Sequence, residues 1–190
     1  MKPPLSVLHT PRLTLRPMVA EDTESVCRMI DVSRASFSRW FNWTGASTPP
    51  AVREYLQQAE QAMAVGTAWH YVLLYGPENL IGRAGLTEWD MVNGSAELGY
   101  MLRTDFEGDG LMAEAVHALL AHAFAAGGLH RVVAYVDVEN EASRHVLAHL
   151  GFKHEGTMRH MLRHPERGWR DHHAYGLLEG EMHDAQPSKA

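Results

Sequence analysis

The sequence predicts a mixed α/β fold of about seven strands and about four helices in one domain, and three features carry that prediction. Short alternating or continuous apolar stretches at 12–16, 69–75, 80–88, 96–102 and 131–136 have strand length and strand composition. Longer stretches with helical periodicity lie between them, at 21–33, 51–65, 111–124 and 140–150. The segment Ala96–Phe124 runs strand, glycine turn and helix in immediate succession, and a further apolar strand follows. A right-handed crossover of that kind makes the two strands parallel inside an otherwise antiparallel sheet.

Residues 12–16, Arg-Leu-Thr-Leu-Arg, alternate polar and apolar, the period of a half-buried strand. Glu21 and Asp22 favour a helix N-terminus, and Val26, Met29 and Ile30 recur at helical spacing through Ser33. Four aromatics crowd Phe37-Ser38-Arg39-Trp40-Phe41-Asn42-Trp43, too many for a solvated loop. They are core, or they wall a groove in which Trp40 and Trp43 meet a substrate. Pro49 and Pro50 open a helix from Ala51 to about Val65, because the first turn tolerates a missing N–H. Trp69–Tyr75 and Leu80–Glu88 flank Gly76-Pro77-Glu78-Asn79 as a hairpin, and Asn93-Gly94 turns a second hairpin into Ala96–Leu102. Gly127-Gly128 ends the helix from Leu111 to Phe124, and Val132–Val136 reads as a strand covered on both faces. Asn140–Leu150 is a short helix closed by Gly151. Phe152–Leu162 and Trp169–Leu178 form a last antiparallel pair, and the polar tail 179–190 is expected to fray.

Composition narrows the classes. With 45% apolar and 21% charged residues, the chain of 190 is an ordinary globular domain, its ordered core expected over residues 9–178. The charge of −6, from 17 basic and 23 acidic residues, argues against a nucleic-acid partner, since phosphate backbones are gripped by clustered Lys and Arg. Cys27 is the single cysteine, which excludes an intrachain disulfide and fits a reducing compartment. The start, Met1-Lys2-Pro3-Pro4-Leu5-Ser6, lacks the apolar core of a signal peptide, and no stretch approaches the roughly 18 apolar residues of a membrane span, so a cytoplasmic protein with no membrane association is expected.

Glu107-Gly108-Asp109-Gly110 is a tight turn between strand and helix. Glycines let successive N–H groups converge, and the helix adds its orphan amides and positive dipole end, so a phosphate or pyrophosphate suits the turn; a plain tight connection reads the same way.

A second segment decides between these. Asn140-Glu141-Ala142-Ser143, with Leu150-Gly151-Phe152, follows the apolar strand Arg131–Val136, and the two segments together resemble the GNAT superfamily of acyl-CoA-dependent N-acetyltransferases. That family writes its turn (Q/R)-x-x-G-x-(G/A), against Glu107, Gly110 and Met112 here. Gly108-Asp109-Gly110-Leu111-Met112 resembles the RimJ/RimL branch, the ribosomal-protein N-acetyltransferases. Thr10-Pro11-Arg12-Leu13, Arg39–Trp43, Ile81-Gly82, Ala96-Glu97-Leu98-Gly99-Tyr100 and Glu155-Gly156 agree with that branch in order.

The resemblance implies acetyl-CoA as cosubstrate and a primary amine as acceptor: a protein N-terminal α-amine, or a small amine or antibiotic. A GNAT-like binding protein without catalysis is the alternative class, and pairing as a homodimer is what similar proteins show. The cofactor residues implied are the turn Glu107, Gly108, Asp109, Gly110, Leu111 and Met112, the strand end Met101, Leu102 and Arg103, and Asn140 and Ser143 on the following helix. A main-chain amide near Met101 or Leu102 would face the thioester carbonyl, and Asn140 would hold the pantetheine arm. Many relatives protonate the leaving thiolate with a tyrosine seven residues after that asparagine; Leu147 stands there, so Ser143, one turn after Asn140, is the acid, unless it only caps its own helix. The glutamate that the branch uses as base is missing from Thr157–Arg163, which leaves Glu97, Glu88 or His160, or a base acting through water. Trp40, Trp43, Glu88 and Tyr100 are the expected substrate contacts.

Glu107 and Asp109 place like charge beside a pyrophosphate, each costing about 1 kcal/mol if solvated; Arg103, Arg144 and Lys153 are the candidate counter-charges. His154, His160, His164, His172 and His173 crowd the last two strands, but their spacing matches no zinc signature, and no metal is expected.

Overall fold

The computed structural model describes residues 6–43 and 47–183. The expectations for Met1–Leu5 and for fraying at 184–190 lie outside the described residues. Two short strands, β1 (Leu8–His9) and β2 (Leu13–Pro17), lead into α1 (Thr23–Trp40) and α2 (Pro49–Val65). Then follow β3 (Trp69–Tyr75), β4 (Asn79–Asp90), β5 (Ser95–Leu102), α3 (Leu111–Gly127), β6 (Arg131–Asp137), α4 (Glu141–His149), β7 (Lys153–His164) and β8 (Gly168–Leu178). The eight strands form one sheet in the order β1-β2-β3-β4-β5-β6-β8-β7. Among the described strands only β5 and β6 pair in parallel, as the crossover through α3 requires.

Alternation along the strands splits the interior in two. One side chain set, including Leu98, Leu102, Val132, Ala134 and Leu177, packs under α3 and α4. The other, including Val72, Leu74, Leu80 and Met101, packs under α1 and α2. α3 is apolar on most of its circumference because the sheet covers one side and α4 and the N-terminal strands cover others. Full burial of Leu119 and Leu120 contributes about 2 kcal/mol each.

Three differences from the sequence reading have physical causes. β1 is an additional strand of two residues, too short for any period to show. α1 runs seven residues past Ser33 to Trp40, because Phe37 continues the buried stripe of Val26, Met29, Ile30 and Ser33. The segment 179–183 is tied down rather than frayed: Glu179 N donates to His130 O, His183 N to Leu150 O, and the Glu181 carboxylate binds Lys153 and Leu178 N. Among the described residues two non-glycines have positive φ, Glu88 (49°) and His160 (53°), and both sit where the pairing register shifts. Such a backbone costs about 1 kcal/mol or more.

Candidate active site

β5 and β6 pair only at Ser95–Arg131, Ala96–Val132 and Glu97–Val133, and beyond that point they part. The N–H groups of β5 alternate in direction, and Arg103 N already donates to Ile81 O on the β4 side. Met101 N therefore also faces β4, whereas the amides of Tyr100 and Leu102, beyond the last β5–β6 pair, face the opening. The opening belongs to a cleft of about 1830 Å³ that continues past the N-terminus of α3 and along α4.

At the α3 end, Gly108 (φ 93°) and Gly110 (φ 74°) hold left-handed backbone that other residues adopt only with strain. No side chain caps α3, so the amides of its first turn stay available, and a Cβ at Gly108 would meet no atom within 4 Å. Burial raises the Glu107 carboxyl above its usual range.

At the α4 end, Asn140 is the N-cap: its Oδ1 accepts from Ser143 N at 3.1 Å. That gives the capping role to Asn140 and leaves the Ser143 hydroxyl without a hydrogen bond to the described residues. Tyr100 on β5 donates its hydroxyl to the Ser143 carbonyl at 3.2 Å, bridging the two elements where the sheet opens. Burial, the largest influence, pushes the Tyr100 phenol well above its ordinary value.

The cleft brings together Trp40, Tyr100, Met101, Leu102, Glu107, Gly108, Gly110, Leu111, Met112, Asn140 and Ser143. Other predicted residues lie off its walls. Arg103 turns away to Asp105 and Asn79. Asp109 is exposed, with its carbonyl toward Arg12. Trp43 packs on Phe41 and under Arg83. Glu97 faces away from α3, and its carboxyl is pushed upward first by burial and then by the charge of Glu88. Exposed His160 stacks on Trp169, and its N–H donates to Asp171 at 2.8 Å. Among the described residues, no group of three or more His, Cys, Asp or Glu side chains is arranged to hold a metal ion.

Two contributions escaped the sequence reading. Arg167, in the β7–β8 turn, sits over the Trp40 ring, donates to Arg39 O at 2.9 Å and pairs with Glu139. Buried His164 contacts Ser38 O through Nε2 at 2.8 Å and accepts from Glu166 N and Arg167 N at Nδ1, which places the proton on Nε2. Together they fasten the last hairpin to the end of α1 beside the cleft. Arg12, near the N-terminus, reaches the glycine turn. Only proximity of segments far apart in the chain reveals either contribution; the match of Thr10–Leu13 to the family was the single hint.

A sheet that splits at its parallel pair, beside a glycine turn and an uncapped helix, is the architecture of acetyl-group transferases using CoA. Residues 12–153 match the family model described as an acetyltransferase (GNAT) domain, and the chain belongs to that family. It is 31% identical over 156 residues to the uncharacterized N-acetyltransferase p20 of Bacillus licheniformis, covering 82% of this chain and 86% of that protein. It is 33% identical over 111 residues to the [ribosomal protein uS5]-alanine N-acetyltransferase of Escherichia coli (strain K12), 56% of each chain. Among solved structures, Mycobacterium smegmatis RimJ in complex with CoA-disulfide superposes with a TM-score of 0.88 at 25% identity, over 98% of this chain and 93% of that one. The protein is therefore a GNAT N-acetyltransferase of RimJ/RimL-like architecture, and no described helix is long and apolar enough to cross a membrane.

Proposed function

We propose that the protein transfers acetyl from acetyl-CoA to a protein N-terminal α-amine by direct attack in a ternary complex. The observation that carries this reading is the parting of β5 from β6 after Glu97, in line with the uncapped N-terminus of α3 and with Asn140 and Ser143. The open turn amides and positive-φ glycines fit a diphosphate, and the long cleft fits a pantetheine arm. Bound acetyl-CoA supplies the activated acyl carbon. The Leu102 amide, aimed into the opening, stabilises the charge that develops on the acyl oxygen. Asn140, held by its cap bond, orients the arm through its free amide group. Ser143 Oγ relays a proton to the departing sulfur, giving its own as it takes one from water, and the Tyr100 hydrogen bond fixes the turn that carries it.

The amine must lose a proton to react. Glu97 takes it, favoured by the upward shift that burial and Glu88 impose. It stands five residues along the strand from Leu102, about 16 Å of extended chain, so the proton must travel to it along a chain of several waters. The acceptor enters past Trp40, over whose ring Arg39 and Arg167 lie at 4.7 and 5.5 Å. RimJ-type names among the relatives favour a ribosomal protein N-terminus as acceptor.

Calorimetric titration with acetyl-CoA and CoA tests the site, with Gly110→Trp as the filled, strained variant. Binding by the wild type that is lost in the variant is expected. Absence of binding to the folded wild type sinks the acetyltransferase reading. Screening N-terminal peptides against small amines then tests the acceptor.

A further inference from the structure

The glycine turn carries Glu107 and Asp109 where a diphosphate would lie, and the basic residues nearest in sequence do not answer them. Arg103 binds Asp105 and Asn79, Lys153 pairs with Glu181, and Arg144 is off the cleft walls. The guanidinium that reaches the turn is Arg12, 97 residues upstream of Asp109. Its Nη1 donates to Asp109 O at 2.9 Å and its Nε to Glu114 Oε2 at 2.7 Å. Glu114, on the first turn of α3, also accepts from Arg12 N at 2.9 Å and Thr10 Oγ1 at 2.5 Å. Thr10 in turn accepts from Leu13 N at 2.9 Å, which anchors the assembly to β2.

We propose that Arg12 is a positioning residue for the cofactor diphosphate, acting through the backbone of Asp109 and held in place by Glu114. This rests on the acetyl-CoA reading above. The physical point is which side of the turn is held. The N–H groups of Gly108, Asp109 and Gly110 make no backbone hydrogen bonds among the described residues, and those of Leu111 to Ala113 begin an uncapped helix. Six consecutive amides are thus free to converge on an anion, at the cost of a turn that its own amides do not brace. Arg12 braces it from the carbonyl side and leaves every amide available. The fork spans both ends of the cradle, Asp109 in the turn and Glu114 in the helix, so it sets the angle between them. Because Glu114 already pairs with Arg12, the effect is geometric and not a gain of positive charge.

The test is calorimetric titration of Arg12→Gln and Arg12→Lys with CoA, together with amide NMR of the ligand-free proteins. Both variants should bind CoA about tenfold more weakly, since neither a carboxamide nor a single ammonium can span Asp109 O and Glu114 as the guanidinium does. Amide signals of residues 108–112 should shift or broaden while those of α4 stay put, with the melting temperature near that of the wild type. Wild-type affinity in Arg12→Gln, recovery by Arg12→Lys, or shifts spread through the whole domain would each overturn the proposal. If Arg12→Gln does not fold, Glu114→Gln, which releases the far end of the fork, is read by the same criteria. Failure of the wild type to bind CoA would refute the acetyl-CoA reading instead, and the ligand-free NMR comparison would still decide whether Arg12 sets the turn.

Discussion

Gly82 on β4 stands opposite Leu102, and replacing it with alanine perturbs the strand end proposed to meet the acyl oxygen. A Cβ there would lie 2.6 Å from the Met101 carbonyl oxygen and 3.1 Å from both Leu102 Cδ1 and Leu73 Cδ1. An ordinary carbon–oxygen contact needs about 3.3 Å or more, so β5 must retreat by about 0.7 Å. On the far side no ladder hydrogen bond holds this part of β5, because β6 has already parted from it. Overpacking of this kind costs about 2 kcal/mol, which in a chain of this size lowers Tm by about 4–8 °C. The same retreat moves the Leu102 amide, and displacements below 1 Å at a reacting centre reduce turnover by about tenfold or more. Thermal unfolding followed by circular dichroism measures the first effect, and kcat with a peptide acceptor the second, while CoA affinity should hold because the glycine turn is untouched. Gly99→Ala is the control: no atom lies within 4 Å of its Cβ, so Tm should stay level or rise. A Gly82→Ala protein with wild-type Tm and wild-type kcat would refute this account of the strand.

Four further outcomes are expected. His70 is lowered from 6.5 to about 4, first by burial and then by the charge of Arg83; the unfolded chain therefore takes up the proton first, and about 3 kcal/mol of stability drains away as pH falls from 6.5 to 4, a slope that denaturation of His70→Gln across that range should show flattened. Glu97 has the opposite sign: its folded carboxyl prefers the proton, so its ionisation costs stability as pH rises past 4.5, and Glu97→Gln should raise Tm at pH 7 while slowing acetyl transfer. In the same experiment Glu88→Gln should move the acid limb of the pH–rate profile to lower pH, whereas an unmoved limb would separate Glu97 from the proton transfer. Tyr100→Phe removes the donor to the Ser143 carbonyl, costing about 1 kcal/mol of stability, and should lower kcat several-fold with an unchanged KM for acetyl-CoA; equal losses in both would show a general loss of packing instead.

Much of the molecule is local and therefore legible in the chain alone. Period-two and helical stripes place β2 to β8 and all four helices, because each reports which face a backbone of fixed geometry turns inward. Gly108 and Gly110 announce a left-handed turn, and the crossover through α3 dictates the parallel pair. Asn140 was marked by resemblance, and its capping bond to Ser143 N, three residues away, is again a local matter. What only the tertiary structure decided depends on distance in space. How far β5 and β6 stay paired is a tertiary matter, and it leaves the Leu102 amide open, while alternation from the Arg103–Ile81 bond turns that of Met101 toward β4. Trp40 became a cleft wall because Arg167, far along the chain, stacks on it, while Trp43 found other partners. Arg12 shows the limit most plainly: beside Leu13 it is one polar position in an alternating strand, and only the folded chain carries its guanidinium to Asp109, where a rigid fork can hold a turn whose own amides must stay free.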